Sequence, residues 1–97
     1  MKVAVSDLAH LDLHEIENYY FERGEHLPVL FYNEFEDVLI FIGDHPNTGF
    51  RLKNGYRLFQ MKQFPHLIIC QVSKDVVEVI HVFHPKRHPN LRFTRLE

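Results

Sequence analysis

His84, Lys86, Arg87 and His88 place two imidazoles and two permanent cations within one short stretch of chain. Imidazole gains and loses a proton near neutral pH, whereas guanidinium and ammonium groups hold phosphate or carboxylate charge. The set suits proton transfer on a phosphodiester or capture of an acidic partner, and a solvated charged tail has the same composition. Arg57 and Lys62, with Arg51 and Lys53 just upstream, extend the basic character. Arg57 alternates with Phe59 and Met61 on one strand face, so its aliphatic stem can also lie along the core edge.

Other chemistries find less support. Along His81-x-x-His84-x-x-x-His88, an offset of three puts His81 and His84 on opposite strand faces. No Cys pair or nearby carboxylate completes a tetrahedral metal set there. His10 and His14 share a helix face and read as solvated. Neither a metal nor a cofactor is expected. Cys70, the single cysteine, follows Leu67, Ile68 and Ile69 and reads as a small core residue. Phe31, Phe35 and Phe41 read as a core stripe, not as a platform for stacking bases.

The formal net charge of −2 over 97 residues conceals a strong asymmetry. Residues 1–50 hold two basic residues against ten acids, a net of −8, while residues 51–97 hold nine against three, a net of +6. Either two solvated faces of opposite sign attract each other, or the basic half meets a polyanion or acidic partner. The acidic helix faces disfavour binding to free DNA, since phosphate affinity grows with the number of cations presented. At 45% hydrophobic residues, with thirteen Phe and Tyr, the chain fits one ordinary globular domain over 1–97. A lone cysteine fits a reducing compartment. The longest wholly apolar run, 38–42, is too short for a bilayer, and residues 1–6 lack a signal-type apolar core. A soluble cytoplasmic protein is therefore expected.

The elements that must position the basic residues follow from hydrophobic period. Residues 2–5 read as a short strand. Ser6 or Asp7 caps a first helix, with Leu8, Leu11, Ile16, Tyr19 and Tyr20 at helical spacing and Gly24 as its stop. A second helix begins near Pro28 and buries Phe31, Phe35, Val38 and Ile42, ending at 43–46. The joint at 24–27 is so short that the two helices must pair as an antiparallel hairpin. Residues 45–55, with Pro, Asn and Gly, read as a loop. Residues 56–62 alternate as a strand, and 67–72 and 76–83 are β-branched strands around the polar turn Ser73-Lys74-Asp75. The expected fold is α+β, a helical hairpin on a mainly antiparallel four-stranded sheet in the order β-α-α-β-β-β. The basic stretch from His84 follows a strand expected at the sheet edge.

This order resembles the RelE/ParE superfamily of toxins from bacterial type II toxin–antitoxin modules. The resemblance spans nearly the whole chain. It rests on the element order, the turn Asp44-His45-Pro46-Asn47-Thr48-Gly49, Gly55-Tyr56-Arg57 entering a strand, and a last strand ending in His84-x-x-Arg87. Where the family usually follows that Arg with an acid, this chain has His88. The resemblance implies a plasmid-stabilisation-like, growth-inhibiting toxin neutralised by a cognate antitoxin.

Two branches differ in mechanism. The ribonuclease branch cleaves messenger RNA on the ribosome with basic side chains, and the resemblance would assign that chemistry to His84, Arg87 and Arg57. Its strand lysines fall near Leu58 and Gln60 here, its arginine near Leu67, and no Tyr follows Tyr56. The ParE branch poisons DNA gyrase by binding and lacks the ribonuclease set, which fits this sequence better. Arg57, Lys62, His84, Lys86, Arg87 and His88 are then candidates for contacting target or antitoxin. A decayed, non-toxic binding module is the third reading.

Overall fold

A computed structural model describes residues 1–87. The elements are β1 (Lys2–Val5), α1 (Asp7–Phe21), α2 (Leu27–Asp44), β2 (Phe50–Arg51), β3 (Tyr56–Gln60), β4 (Leu67–Val72) and β5 (Val76–Phe83). Single 3-10 turns span Pro46–Thr48 and Lys53–Gly55. Sheet order is β1-β5-β4-β3-β2, with β1 parallel to β5 and every other neighbour antiparallel. The α+β hairpin-on-sheet fold matches the expectation, with five strands in place of four. The additional strand lies inside the expected loop: Asn54 and Gly55 at positive φ turn the chain so that Phe50 and Arg51 pair with Leu58 and Arg57.

Ser6 caps α1 by accepting from the Ala9 amide at 3.1 Å. The helix buries Ala9, Leu13 and Ile16, while Leu8 and Leu11 are exposed. That corrects the expected stripe: positions 9, 13, 16 and 20 are the ones stacked on one helix face, while 8 falls beside it and 11 on the opposite side. On α2, Phe31, Phe35 and Ile42 are buried as expected, but Phe41 is 49% exposed and not core. Position 41 lies about 100° around the helix from Ile42 and so falls off the stripe 31-35-38-42. Tyr20 stacks on Phe31, and Tyr32 donates to the Leu13 carbonyl, contacts that oppositely running helices provide.

The helices cover one sheet face, where Phe59, Met61, Ile68, Cys70, Val77, Val79 and Val82 complete the core. Burial pushes the Cys70 thiol up to about 12. Two carboxylates lock helices to sheet. Glu34 of α2 accepts from three successive amides, Lys62, Gln63 and Phe64, and so closes the turn after β3. Asp12 of α1 accepts from the Val82 amide at 3.0 Å and meets His81 Nδ1 at 3.1 Å.

The second contact explains how β5 ends. With β1 on one side and β4 on the other, β5 is an interior strand, not the edge strand expected. However, β1 reaches only Val79, so residues 80–83 lack a strand partner on that side. A bulge between Ile69 and Cys70 pairing accompanies the change. Ser6 bonds the Val79 and Ile80 carbonyls, and Asp12 takes the Val82 amide, so α1 supplies what a longer β1 would have supplied.

Candidate functional site

The close of β5 brings His84 and Arg87 together with the sequence-distant His66 and Tyr19. His84 follows Phe83, which pairs with Leu67 at the start of β4, so His84 stands beside His66 with ring centroids 5.4 Å apart. His66 is fully buried, with its ring edge-on to Phe31 at 5.1 Å and 5.9 Å from Tyr20. The turn from His84 carries Arg87 back over these rings, with the Arg87 amide donating to the His84 carbonyl at 3.1 Å. Arg87 Nη2 lies 3.3 Å from His66 Nε2. A guanidinium only donates, so His66 Nε2 stands on the accepting side of this contact.

Arg87 is also stacked on α1. Its guanidinium carbon lies 3.6 Å from the Tyr19 ring centroid, and that of Arg23 lies 3.4 Å from the same centroid. Two guanidiniums that near one ring must occupy opposite faces. Arg23 is fixed there by donating to the Tyr19 carbonyl at 2.8 Å. Cation–ring attraction is worth roughly 0.5–2 kcal/mol per pair, rising with desolvation. Arg87 therefore fastens the end of β5 to α1, while Lys86 beside it is exposed.

The other candidates lie elsewhere. Arg57 pairs with Cys70, three positions along β4 from Leu67, which is roughly 10 Å toward the opposite end of the strands. One nitrogen, Nη1, donates to the Asn47 and Gly49 carbonyls, both at 3.1 Å. Gly49 permits this approach, since a Cβ there would meet Phe59 at 2.6 Å. Lys62 is exposed beyond β3, its amide held by Glu34. His88 lies outside the described residues. The structure thus unites His84 and Arg87, sets Lys86 next to them, and separates Arg57 and Lys62 from that group.

His66 is the member that sequence pattern did not single out. A histidine between Pro65 and a β-branched strand looks like a polar flank. Only the pairing of Leu67 with Phe83 shows that it faces the core end. His81 is occupied by Asp12, and among the described residues no three His, Cys, Asp or Glu side chains cluster as metal ligands.

A second feature is apolar. α2 exposes Val29, Leu30, Ile40 and Phe41. Leu30, Val38 and Phe41 line a groove of about 570 Å³ against Phe59 and Gln60, with Asp37, Glu34 and Lys62 at its rim. β2 covers β3 only at Arg57 and Leu58, so the backbone edge at residues 59–60 borders this groove. Among the described residues, no helix is long and apolar enough to cross a membrane.

The family model described as the ParE toxin of type II toxin–antitoxin system, parDE, matches residues 3–89. A solved chain of the chromosomal ParDE TA system from P. aeruginosa shares the fold, with a TM-score of 0.76 at 15% sequence identity. The match covers 87% of this chain and 95% of that one. No curated protein matches the sequence.

Proposed function

The chain belongs to the ParE toxin family of type II toxin–antitoxin systems, and on that premise we propose that it arrests growth by binding DNA gyrase and is held inactive by a cognate antitoxin. The observation that carries binding over catalysis is the dispersal of the basic residues. A phosphodiester-cleaving site needs a base, an acid and charge stabilisation converging on one phosphate. Here Arg57 stands roughly 13 Å along the strands from the level of His84. Arg87 is engaged with Tyr19 and His66. Leu58, Gln60 and Leu67 lie near the positions where the resemblance implies ribonuclease cations.

The antitoxin half of the proposal rests on the groove. Large apolar side chains left open along α2 mark a protein contact surface. Beside them, the uncovered edge of β3 offers backbone groups to an added strand. A flexible antitoxin that folds on binding would lay apolar residues in the groove and turn acids toward Lys62 and Lys86.

Induction of the chain without antitoxin tests the reading. The expected outcome is growth arrest with DNA-damage signalling and intact messages, relieved by co-expressing the antitoxin. Message cleavage that disappears in His84→Ala would transfer the function to the ribonuclease reading. Absence of arrest would leave a non-toxic binding module.

A further inference from the structure

At the β2–β3 turn, Arg51 and Arg57 are directly opposed in an antiparallel pair. Side chains so placed share one sheet face with Cβ atoms about 4.5–5.5 Å apart, and like charges there destabilise the pair. The turn that closes this ribbon, Lys53–Gly55, adds a third cation, and the Leu52 amide donates to the Tyr56 carbonyl at 2.9 Å across its base. Arg51, Lys53 and Arg57 line one open cleft together with Asn47, Asn54 and Tyr56, and no carboxylate lines it. Arg51 and Lys53 make no side-chain hydrogen bond or ion pair among the described residues. Arg57 uses only Nη1 in its bonds to Asn47 and Gly49, so its other donors are held in place and unspent.

We infer that this cleft binds a phosphate group, whether that of a free polyphosphate or one in the backbone of a nucleic-acid strand. Three cations converging without a counter-charge suit a multiply charged tetrahedral oxyanion, and two guanidinium forks match its oxygens. A bound anion removes the Arg51–Arg57 repulsion, so binding and ribbon stability are linked. The inference is independent of the gyrase reading and holds even if that reading fails.

The test follows backbone amide signals of the full chain during titration with pyrophosphate, a short single-stranded DNA and an oligo-glutamate peptide at matched ionic strength. Shifts centred on Asn54, Gly55 and Tyr56 are expected with either phosphate ligand, weakened roughly tenfold or more in Arg51→Ser with Lys53→Ser. Pyrophosphate binding as tightly as DNA identifies a free phosphate as the source, and tighter DNA binding identifies the backbone. The double variant should melt no lower than the parent without anion and lose the anion-dependent rise in melting temperature. Equal shifts with oligo-glutamate, shifts unchanged in the variant, or no shifts at these residues would overturn the assignment.

Discussion

At the end of β5, Arg87 lies 3.6 Å above Tyr19 and 3.3 Å from a buried histidine, whereas at the β2–β3 turn Arg51 opposes Arg57 with no acid lining the cleft. Both regions belong to the same basic half of the sequence, and charge density along the chain makes the first look the more available. The packing reverses that order. A guanidinium that reaches an aromatic face and a buried acceptor spends its donors internally. Of the two opposed on the exposed ribbon, Arg57 commits only Nη1 internally and Arg51 has no side-chain partner among the described residues.

Truncating Arg87 should break the first region most severely. Arg87→Ala removes the ring contact and leaves His66 Nε2, on a fully buried side chain, without that donor. Loss of a buried partner plus a cation–ring contact should cost roughly 2–3 kcal/mol. Thermal unfolding should then show a midpoint lowered by about 10 °C or more. A midpoint within about 2 °C of the parent would return Arg87 to the pool of available cations.

Gly49→Ala should damage the second region from beneath. The added methyl would meet Phe59 and the Arg57 Cβ, at 2.6 Å and 3.0 Å, so strand and turn must part. Overpacking of this kind costs about 1–3 kcal/mol and should detach Arg57 from the Asn47 and Gly49 carbonyls. Denaturant unfolding measures the loss.

Alkaline pH probes the core while Arg51, Arg57 and Arg87 stay charged throughout. Burial raises the Cys70 pKa to about 12, and Tyr32 is raised by burial and by the neighbouring Glu17 carboxylate. The folded state therefore holds these protons more tightly than the unfolded chain, whose thiol titrates near 8.5. The thiol's contribution to stability should be constant below that pH and be lost as pH rises toward about 12. Chemical denaturation at stepped pH checks the sign, and Cys70→Ala should flatten the thiol part of the slope. The smallest stability effect belongs to Arg51→Ser, expected within about 0.5 kcal/mol of the parent and toward stabilisation. A clear loss would show that Arg51 is structural, like Arg87.

Strand period made much of this fold readable. The bounds of β1, β4 and β5 follow from β-branched runs interrupted by Ser6 and by Ser73-Lys74-Asp75, and Ser6 reads directly as a cap. β2 was not legible, because a two-residue strand carries no period and exists only through the turn at Asn54–Gly55. Leu8 and Leu11 misled because leucine is apolar on any face, and the residue that faces the core, Ala9, is too small to stand out. Within the candidate site, the closeness of His84 and Arg87 follows from the chain itself. The arrival of His66 and Tyr19 does not, since it depends on strand register and on where α1 crosses β5.

We propose that this toxin-family chain acts by binding a topoisomerase. Titration of the purified chain into a DNA gyrase supercoiling reaction, with and without the cognate antitoxin, tests it most directly. Supercoiling should fall to background as the chain saturates and recover at stoichiometric antitoxin. Supercoiling that remains unchanged at saturating protein would contradict it.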